Sequence, residues 1–288
     1  MKVGIIGAGA WGTGLAFVIA RGESDVVLWS FDGDAKRFDS ATMPKNVLVT
    51  RDMADLKGCD VWLAVTPAAF FRETMGRAGQ NYQKQPVIIC TKGAEPKTGK
   101  FMTEVLHETI PAAKNIGVLA GPQFAAEVAR GVPTGTTLAG NKKVQDAGRI
   151  IFRNLHLSLT RDVVGAEICS VGKNAVSLIS GYVKVRGEGE NQSALVMTAA
   201  WGEVVKLGMK MGAKMPTFLD FCGLGDLLLT ATSQTSRNFS AGMSLARGEK
   251  PIGTVEGLSA MNGLVKKAKA NGTEIPIIKK MYNRFSRY

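Results

Sequence analysis

Histidine is nearly missing from this chain: His107 and His156 are the only two. Neither has a second histidine, a cysteine or a carboxylate cluster at ligand spacing, which argues against a metal centre. Cysteine is sparse as well. The four thiols, Cys59, Cys90, Cys169 and Cys222, stand far apart with no CxxC pair. Two of them lie in apolar strand-like runs, so reduced thiols in a reducing, cytoplasmic compartment are expected. There is no low-complexity tract and no clear repeat. No aromatic residue interleaves with the basic clusters Lys142-Lys143, Lys266-Lys267-Lys269 and Lys279-Lys280. The stacking platform that single-stranded nucleic acid requires is therefore missing. The net charge of +12, from 36 Lys+Arg against 24 Asp+Glu, is left to a solvated surface or to steering of an anionic small molecule. No membrane insertion is expected either, because no run reads as a spanning helix. The apolar stretch from Val3 to Gly22 is interrupted by Gly4, Gly7, Gly9 and Gly12 and has no A-x-A cleavage site before Arg21. It suits neither a signal peptide nor an anchor.

That same stretch fits a nucleotide-binding turn position by position. Lys2-Val3-Gly4-Ile5-Ile6 is a short apolar strand. Gly7-x-Gly9-x-x-Gly12 follows, and then Leu15, Ala16, Val18, Ile19 and Ala20 give a helix an apolar face. Glycine is required at Gly7 for the tight turn, at Gly9 for approach of a pyrophosphate, and at Gly12 for packing of helix on strand. The helix N-terminus offers free N–H groups and a positive dipole end to phosphate. A second strand reads Val26-Val27-Leu28-Trp29. Asp32 stands twenty positions after Gly12 (32 − 12), the distance at which an acidic residue binds an adenosine ribose. A solvated turn aspartate is the other reading. Ser30, Lys36 and Arg37 would instead suit a 2′-phosphate, so NAD is the expected cofactor with NADP as the alternative.

With 45% hydrophobic and 21% charged residues over 288 positions, a large core in one or two domains is expected. Strand and helix patterns alternate through "DVWLAVTPAAFFRETM", "PVIICTKGAEPKTG" and "NIGVLAGPQFAAEVARG", and a strand-like run closes near Leu157–Leu159. This grammar predicts an α/β fold with a doubly wound parallel sheet of Rossmann type over residues 1–164. Ligands bind beyond the carboxyl ends of such strands. That makes Thr66-Pro67, Thr91-Lys92-Gly93 and Ala120-Gly121-Pro122 candidate cleft residues. From about Gly165 the apolar spacing turns helical, which predicts an all-helical domain over 165–288. A cleft between two such halves would suit a small substrate.

Four places in the sequence could carry chemistry. Lys173 sits in "GKNAV" on a helix that otherwise reads apolar. A lysine there is either exposed or buried, paired and lowered in pKa toward acid/base work. Asp226 in "CGLGDLLLT" is likewise costly if unpaired. It is either a helix N-cap or the partner of Lys173, and the two roles are compatible. Ser236-Arg237-Asn238 offers a hydroxyl, a guanidinium and an amide to an anion such as phosphate, or holds an ordinary loop arginine. Lys92 could meet the same anion or polarise a carbonyl.

These segments, in order "GAGAWGTGLA", "TKGAEPKTG", "AGPQFAAEVARGVPT", "GAEICSVGKNAV", "GLGDLLLTATSQTSRN" and "TVEG", resemble the NAD(P)-dependent glycerol-3-phosphate dehydrogenases of bacterial type from Gly7 to Gly257. The resemblance implies reversible hydride transfer between NAD(P)H and dihydroxyacetone phosphate, giving sn-glycerol 3-phosphate for phospholipid synthesis. It implies that Lys173 is the catalytic acid/base, with Asn174 beside it, Asp226 supporting it and Lys92 touching both substrate and cofactor. Gly121, Gln123, Thr230, Ser236, Arg237 and Asn238 fall at substrate positions, although the family usually carries Ser or Thr where this chain has Gln123. Ala10, Trp11, Phe31, Ala125, Arg237 and Glu256 join Gly7, Gly9, Gly12 and Asp32 at the cofactor. The implied partner is a small phosphate substrate, with a homodimer as the expected assembly.

The sequence departs from that pattern around the expected cleft. "VKVRGEGEN" puts Lys184 and Val185 where the family has aspartate and glycine, and Ala199 replaces an arginine. The segment between Gly248 and Glu256 is short, and the sequence stops at Tyr288, before the C-terminal helical segment that most members have. These departures keep open a catalytically weakened nucleotide-binding sensor; a related dehydrogenase of another small anionic substrate is a second rival, although it would not need the full Ser236-Arg237-Asn238 cluster.

Overall fold

The computed structural model describes residues 1–35, 43–187, 189–251 and 255–287. Lys36 and Arg37 lie outside them. Packing divides the chain into two units, the first comprising Met1–Thr91, Met102–Leu119 and Gln123–Val163, the second Lys92–Phe101, Ala120–Pro122 and the chain from Val164 on.

The first unit is an eight-stranded sheet. Its strands are β1 (Lys2–Ile6), β2 (Asp25–Trp29), β3 (Val47–Thr50), β4 (Val61–Ala64), β5 (Val87–Ile89), β6 (Ile116–Ala120), β7 (Gly135–Ala139) and β8 (His156–Thr160), in the order β3-β2-β1-β4-β5-β6-β7-β8. β1 runs parallel to both β2 and β4, with Ile6 opposite Trp29 on one side and Ala64 on the other. The central strands are buried residue after residue rather than alternately: Val61 to Ala64 and Val87 to Ile89 have no exposed member. That pattern requires cover on both faces, as parallel sheets have. Helices α1 (Ala10–Arg21), α2 (Ala68–Ala78), α3 (Met102–Thr109), α4 (Ala125–Arg130) and α5 (Lys142–Ile151) connect the strands. Leu15 and Ile19 of α1 pack with Val3, Ile5, Leu28 and Leu63 in one core. Chain order reverses between β1 and β4, so the carboxyl ends of those two strands form the switch point of the sheet.

Every regular element described in the second unit is a helix: α6 (Val163–Arg186), α7 (Glu190–Lys210), α8 (Met215–Leu219), a π-helical turn (Phe221–Gly225), α9 (Asp226–Thr232), α10 (Arg237–Arg247), α11 (Glu256–Ala270) and α12 (Pro276–Phe285). α6 is long and apolar enough to cross a membrane by composition, but 89% of its most apolar window is buried inside the protein. It is the core helix of this unit, and its apolarity answers to protein neighbours. α10 crosses it backbone to backbone. A Cβ on Gly242 would lie 2.1 Å from the Leu178 carbonyl oxygen, and one on Gly181 would lie 1.9 Å from that of Phe239. Only glycine permits that approach, and it brings the first half of α10 against the second half of α6.

Candidate active site

In the first unit the chain turns at Gly7 with φ +119°, a value that favours glycine. A Cβ on Gly12 would sit 1.8 Å from the Gly7 carbonyl oxygen, whereas one on Gly9 would meet nothing within 4 Å. Gly12 is thus needed for strand and helix to pack, and Gly9 leaves the turn open above. Gly9 caps α1 without a side-chain bond, so the first N–H groups of the helix face outward. Ala10 and Trp11 begin that helix, and the Trp11 indole N–H is buried without a partner. Ala125 opens α4 and packs on α1 at Gly14. Beyond β2, Phe31 is exposed, and Asp32 Oδ1 lies 2.6 Å from the Ser30 hydroxyl and accepts from the Asp34 N–H at 3.2 Å. The Ser30 bond, then the backbone bonds, hold the Asp32 carboxyl below its ordinary value. An open glycine cradle at a helix N-terminus, an unpartnered donor beside it and a fixed carboxylate past β2 fit the pyrophosphate and ribose of a dinucleotide.

The second unit gathers the charged groups. Lys173 is 6% exposed and Asp226 1% exposed. Lys173 Nζ donates to Asp226 Oδ1 at 3.0 Å and to Thr230 Oγ1 at 3.1 Å. Lys92 Nζ donates to the other carboxylate oxygen, Oδ2, at 2.9 Å and to the Gly121 carbonyl at 3.2 Å. Each Asp226 oxygen therefore holds one ammonium. The Thr230 hydroxyl donates to the Asp226 carbonyl at 2.5 Å, which leaves its oxygen to accept from Lys173. Asp226 does not act as an N-cap: Gly225 stands at that position, behind the π-helical turn, a feature that recurs at functional sites. Burial lowers the Lys173 ammonium to about 8, with Asp226 raising it and Lys92 lowering it further. Burial pushes the Asp226 carboxyl up, but the two lysines outweigh that and hold it below its ordinary value.

The phosphate-type cluster is ordered by its neighbours. Ser236 caps α10, accepting from the Phe239 N–H at 3.3 Å. Asn238 accepts from the Gly257 N–H at 2.9 Å and donates to Asn174 Oδ1 at 3.0 Å. Those two bonds orient both amides and leave the Asn174 amide nitrogen buried with no partner. Arg237 is exposed, with Glu256 at 3.6 Å. The structure thus bonds Gly121, Lys92, Asp226, Lys173 and Thr230 into one set, reaches Ser236 from Thr230 through Ser177, and joins Asn174, next to Lys173 in the chain, to Asn238. Gln123 belongs to the first unit, where both its amide atoms are buried without partners. Of the departures, Lys184 pairs with Glu190 at the end of α6. The short stretch before Glu256 includes residues 252–254, which lie outside the described residues. The sequence reading passed over Ser177. It lies four residues after Lys173, one helical turn along α6, and bonds Thr230 and Ser236; that spacing was the only signal for it. The four cysteines are buried thiols, and burial pushes Cys59 up to about 11, which leaves it unreactive near neutral pH.

Two family models cover nearly the whole chain. NAD-dependent glycerol-3-phosphate dehydrogenase N-terminus matches residues 2–146, and NAD-dependent glycerol-3-phosphate dehydrogenase C-terminus matches 162–286. A glycerol-3-phosphate dehydrogenase [NAD(P)+] of Maricaulis maris is 36% identical across 96% of this chain and 89% of its own length. The protein of the same name from Bradyrhizobium sp. strain BTAi1 is 39% identical over the same shares. A crystal structure of glycerol-3-phosphate dehydrogenase from Coxiella burnetii superposes with a TM-score of 0.89 at 27% identity, covering 98% of this chain and 94% of that one. With the glycine cradle and the lysine–aspartate–lysine set in place, these matches over both halves make the chain a member of the NAD-dependent glycerol-3-phosphate dehydrogenase family.

Proposed function

We propose that the chain reduces dihydroxyacetone phosphate to sn-glycerol 3-phosphate, reversibly, with Lys173 as the acid/base, and so feeds phospholipid synthesis. The observation that carries this reading is a buried lysine lowered to about 8 and held between Asp226 and Thr230. A general acid works best when its pKa lies near the operating pH. The sensor reading finds no support among the relatives, which bear dehydrogenase names.

Residues 1–164 supply most of the cofactor contacts, and 165–288, joined by Lys92, Gly121 and Gln123, carry the substrate site. Gly7, Gly9, Ala10, Trp11 and Gly12 would hold the pyrophosphate, Phe31 and Asp32 the adenosine end, with Ala125, Lys92, Arg237 and Glu256 as further contacts. Bound NAD(P)H supplies the hydride. As the carbonyl oxygen of the substrate gains negative charge, the Lys173 ammonium gives it a proton. Asp226 keeps its charge and holds the amine in place, and the Lys92 ammonium favours the developing alkoxide. The free N–H of Asn174 and the hydroxyl of Thr230 orient the substrate, alongside Gly121 and Gln123. Arg237 takes the phosphate with the remaining amide proton of Asn238, while Ser236, whose hydroxyl and N–H are spent within the protein, holds the start of α10 behind them. Oxidation runs the proton the other way, to neutral Lys173. The assembly is a cytoplasmic homodimer.

The pH dependence tests the acid/base assignment. Reduction needs protonated Lys173, so kcat/KM for dihydroxyacetone phosphate falls as pH rises through about 8. Oxidation needs the neutral amine and rises through the same region. Above about pH 7 the substrate phosphate has finished titrating, since its second pKa is about 6. Two profiles that stay flat up to about pH 10 would remove Lys173 from the proton step. A separate titration compares cofactors. The fixed Asp32 carboxylate accepts a ribose hydroxyl and repels a 2′-phosphate, so fluorescence titration gives NADH at least about tenfold tighter binding than NADPH. Equal affinities would leave Asp32 without a part in that choice.

A further inference from the structure

Ser177 is fully buried and has no place in the proton transfer described above. Its hydroxyl lies 2.7 Å from the Thr230 carbonyl oxygen and 3.1 Å from the Ser236 hydroxyl. A serine has one proton to give. The Thr230 carbonyl can only accept, so that proton goes there, and Ser236 must be the donor toward Ser177. Ser236 in turn accepts the Phe239 N–H. The directions are therefore settled along the whole line: Phe239 N–H to Ser236, Ser236 O–H to Ser177, Ser177 O–H to the end of α9. Thr230 and Ser236 are themselves buried, at 6% and 4% exposed. The Ser177 oxygen is the joint between three helices. It sits one turn from Lys173 on α6, beneath the residue whose hydroxyl accepts from Lys173 and beside the residue preceding Arg237.

We propose that Ser177 is a positioning residue for the reaction, fixing the Thr230 end of α9 and the Ser236–Arg237 start of α10 against the helix that carries Lys173. The inference rests on the acid/base reading of Lys173. Losing the hydroxyl leaves the Thr230 carbonyl and the Ser236 proton buried without partners, and the two helix ends shift relative to Lys173 to relieve that. Small misplacements of reacting groups reduce rates steeply.

The test is steady-state kinetics of Ser177→Ala with NADH and dihydroxyacetone phosphate, alongside Ser236→Ala, the double variant and Lys173→Ala. In Ser177→Ala, kcat/KM for dihydroxyacetone phosphate is expected to fall about tenfold, through KM as well as kcat. The Kd for NADH changes by no more than about threefold, since the glycine cradle and Asp32 lie on other elements and Arg237 is the one cofactor contact beside the segment that Ser177 fixes. The double variant loses less than the product of the two single losses, because both remove the same bond. Ser177→Cys fills the same space with a weaker donor and moves kcat/KM in the same direction, which keeps the test alive if the alanine variant folds poorly. Wild-type kcat/KM in a folded Ser177 variant whose melting temperature alone has dropped would reduce Ser177 to a packing residue, and fully multiplicative losses would do the same. Full turnover in Lys173→Ala would instead overturn the acid/base reading itself.

Discussion

Lys173→Ala lowers kcat for dihydroxyacetone phosphate reduction by about 10²- to 10⁴-fold, the range expected when a positioned acid/base is removed, while NADH binds nearly as before. The substitution removes the ammonium on Asp226 Oδ1 but leaves Lys92 on Oδ2 at 2.9 Å. Asp226 keeps a counter-charge, so the site loses its proton donor without leaving a bare buried carboxylate. That separates the chemical effect from unfolding, which a lone buried charge would risk. Lys173→Met is the companion variant: it fills nearly the same volume and carries no proton. Both should lose turnover together, and the residual rate should lose its dependence on pH around 8. The measurement is kcat with saturating NADH across pH, with NADH affinity taken separately by fluorescence. Turnover close to wild type in either variant would place the proton donor elsewhere.

What the sequence revealed about this site follows from the cost of isolated charge. Lys173 and Asp226 could be picked out because each interrupts an apolar helical run, and a lone charge there demands a partner. The glycine turn was legible for a similar reason: any Cβ on Gly12 would fall 1.8 Å from the Gly7 carbonyl oxygen, so only glycine fits there. Lys92 as the second partner of Asp226 was harder, since 134 positions separate them, and nothing in the local pattern around "TKG" points to a carboxylate. Ser177 was harder still. A serine inside a helix is unremarkable until the neighbours that use its hydroxyl are known.

The fold shows the same division. β1, β2, β4, β5 and β6 declare themselves as short apolar runs, because a strand covered on both faces must be apolar throughout. β3 and β7 do not. β3 ends the sheet order, is only partly covered, and leaves Leu48 about half exposed. β7 reads Gly-Thr-Thr-Leu-Ala, and its two threonines are completely buried. Polar side chains in a fully covered strand are possible only where tertiary partners satisfy their hydroxyls, and one-dimensional patterns hold no record of such partners. In the helical half, the same limit hides which face of α6 meets α9 and α10 through hydrogen bonds: Gly165 to Tyr182 is buried all round, so apolar periodicity cannot single out the face that bears Lys173, Asn174 and Ser177.

Asp226→Asn is the more discriminating of the two large-effect substitutions. It keeps the shape of the side chain but leaves the Lys173 and Lys92 ammonium groups without the carboxylate they share. An uncompensated buried charge costs about 3–5 kcal/mol, and the cheapest relief is for Lys173 to lose its proton. Asp226 raises the Lys173 pKa and Lys92 lowers it, so removing the former drives it below its value of about 8. The two directions of the reaction then separate. Reduction needs the ammonium and falls about a hundredfold near neutral pH, whereas oxidation needs the amine, and its rising limb moves to lower pH. Stability must follow the same titration. The Lys173 pKa in the folded protein lies below that of the unfolded chain, about 10.4. The unfolded state therefore binds more protons between those two values, and stability rises with pH across that window. In the wild type the window opens near pH 8; in Asp226→Asn it opens lower. Urea unfolding at several pH values, with both reaction directions followed on the same samples, reads all three effects at once. An Asp226→Asn variant whose oxidation limb and stability window coincide with wild type would show that Lys173 takes its pKa from burial alone, and that Asp226 serves only to hold Lys92.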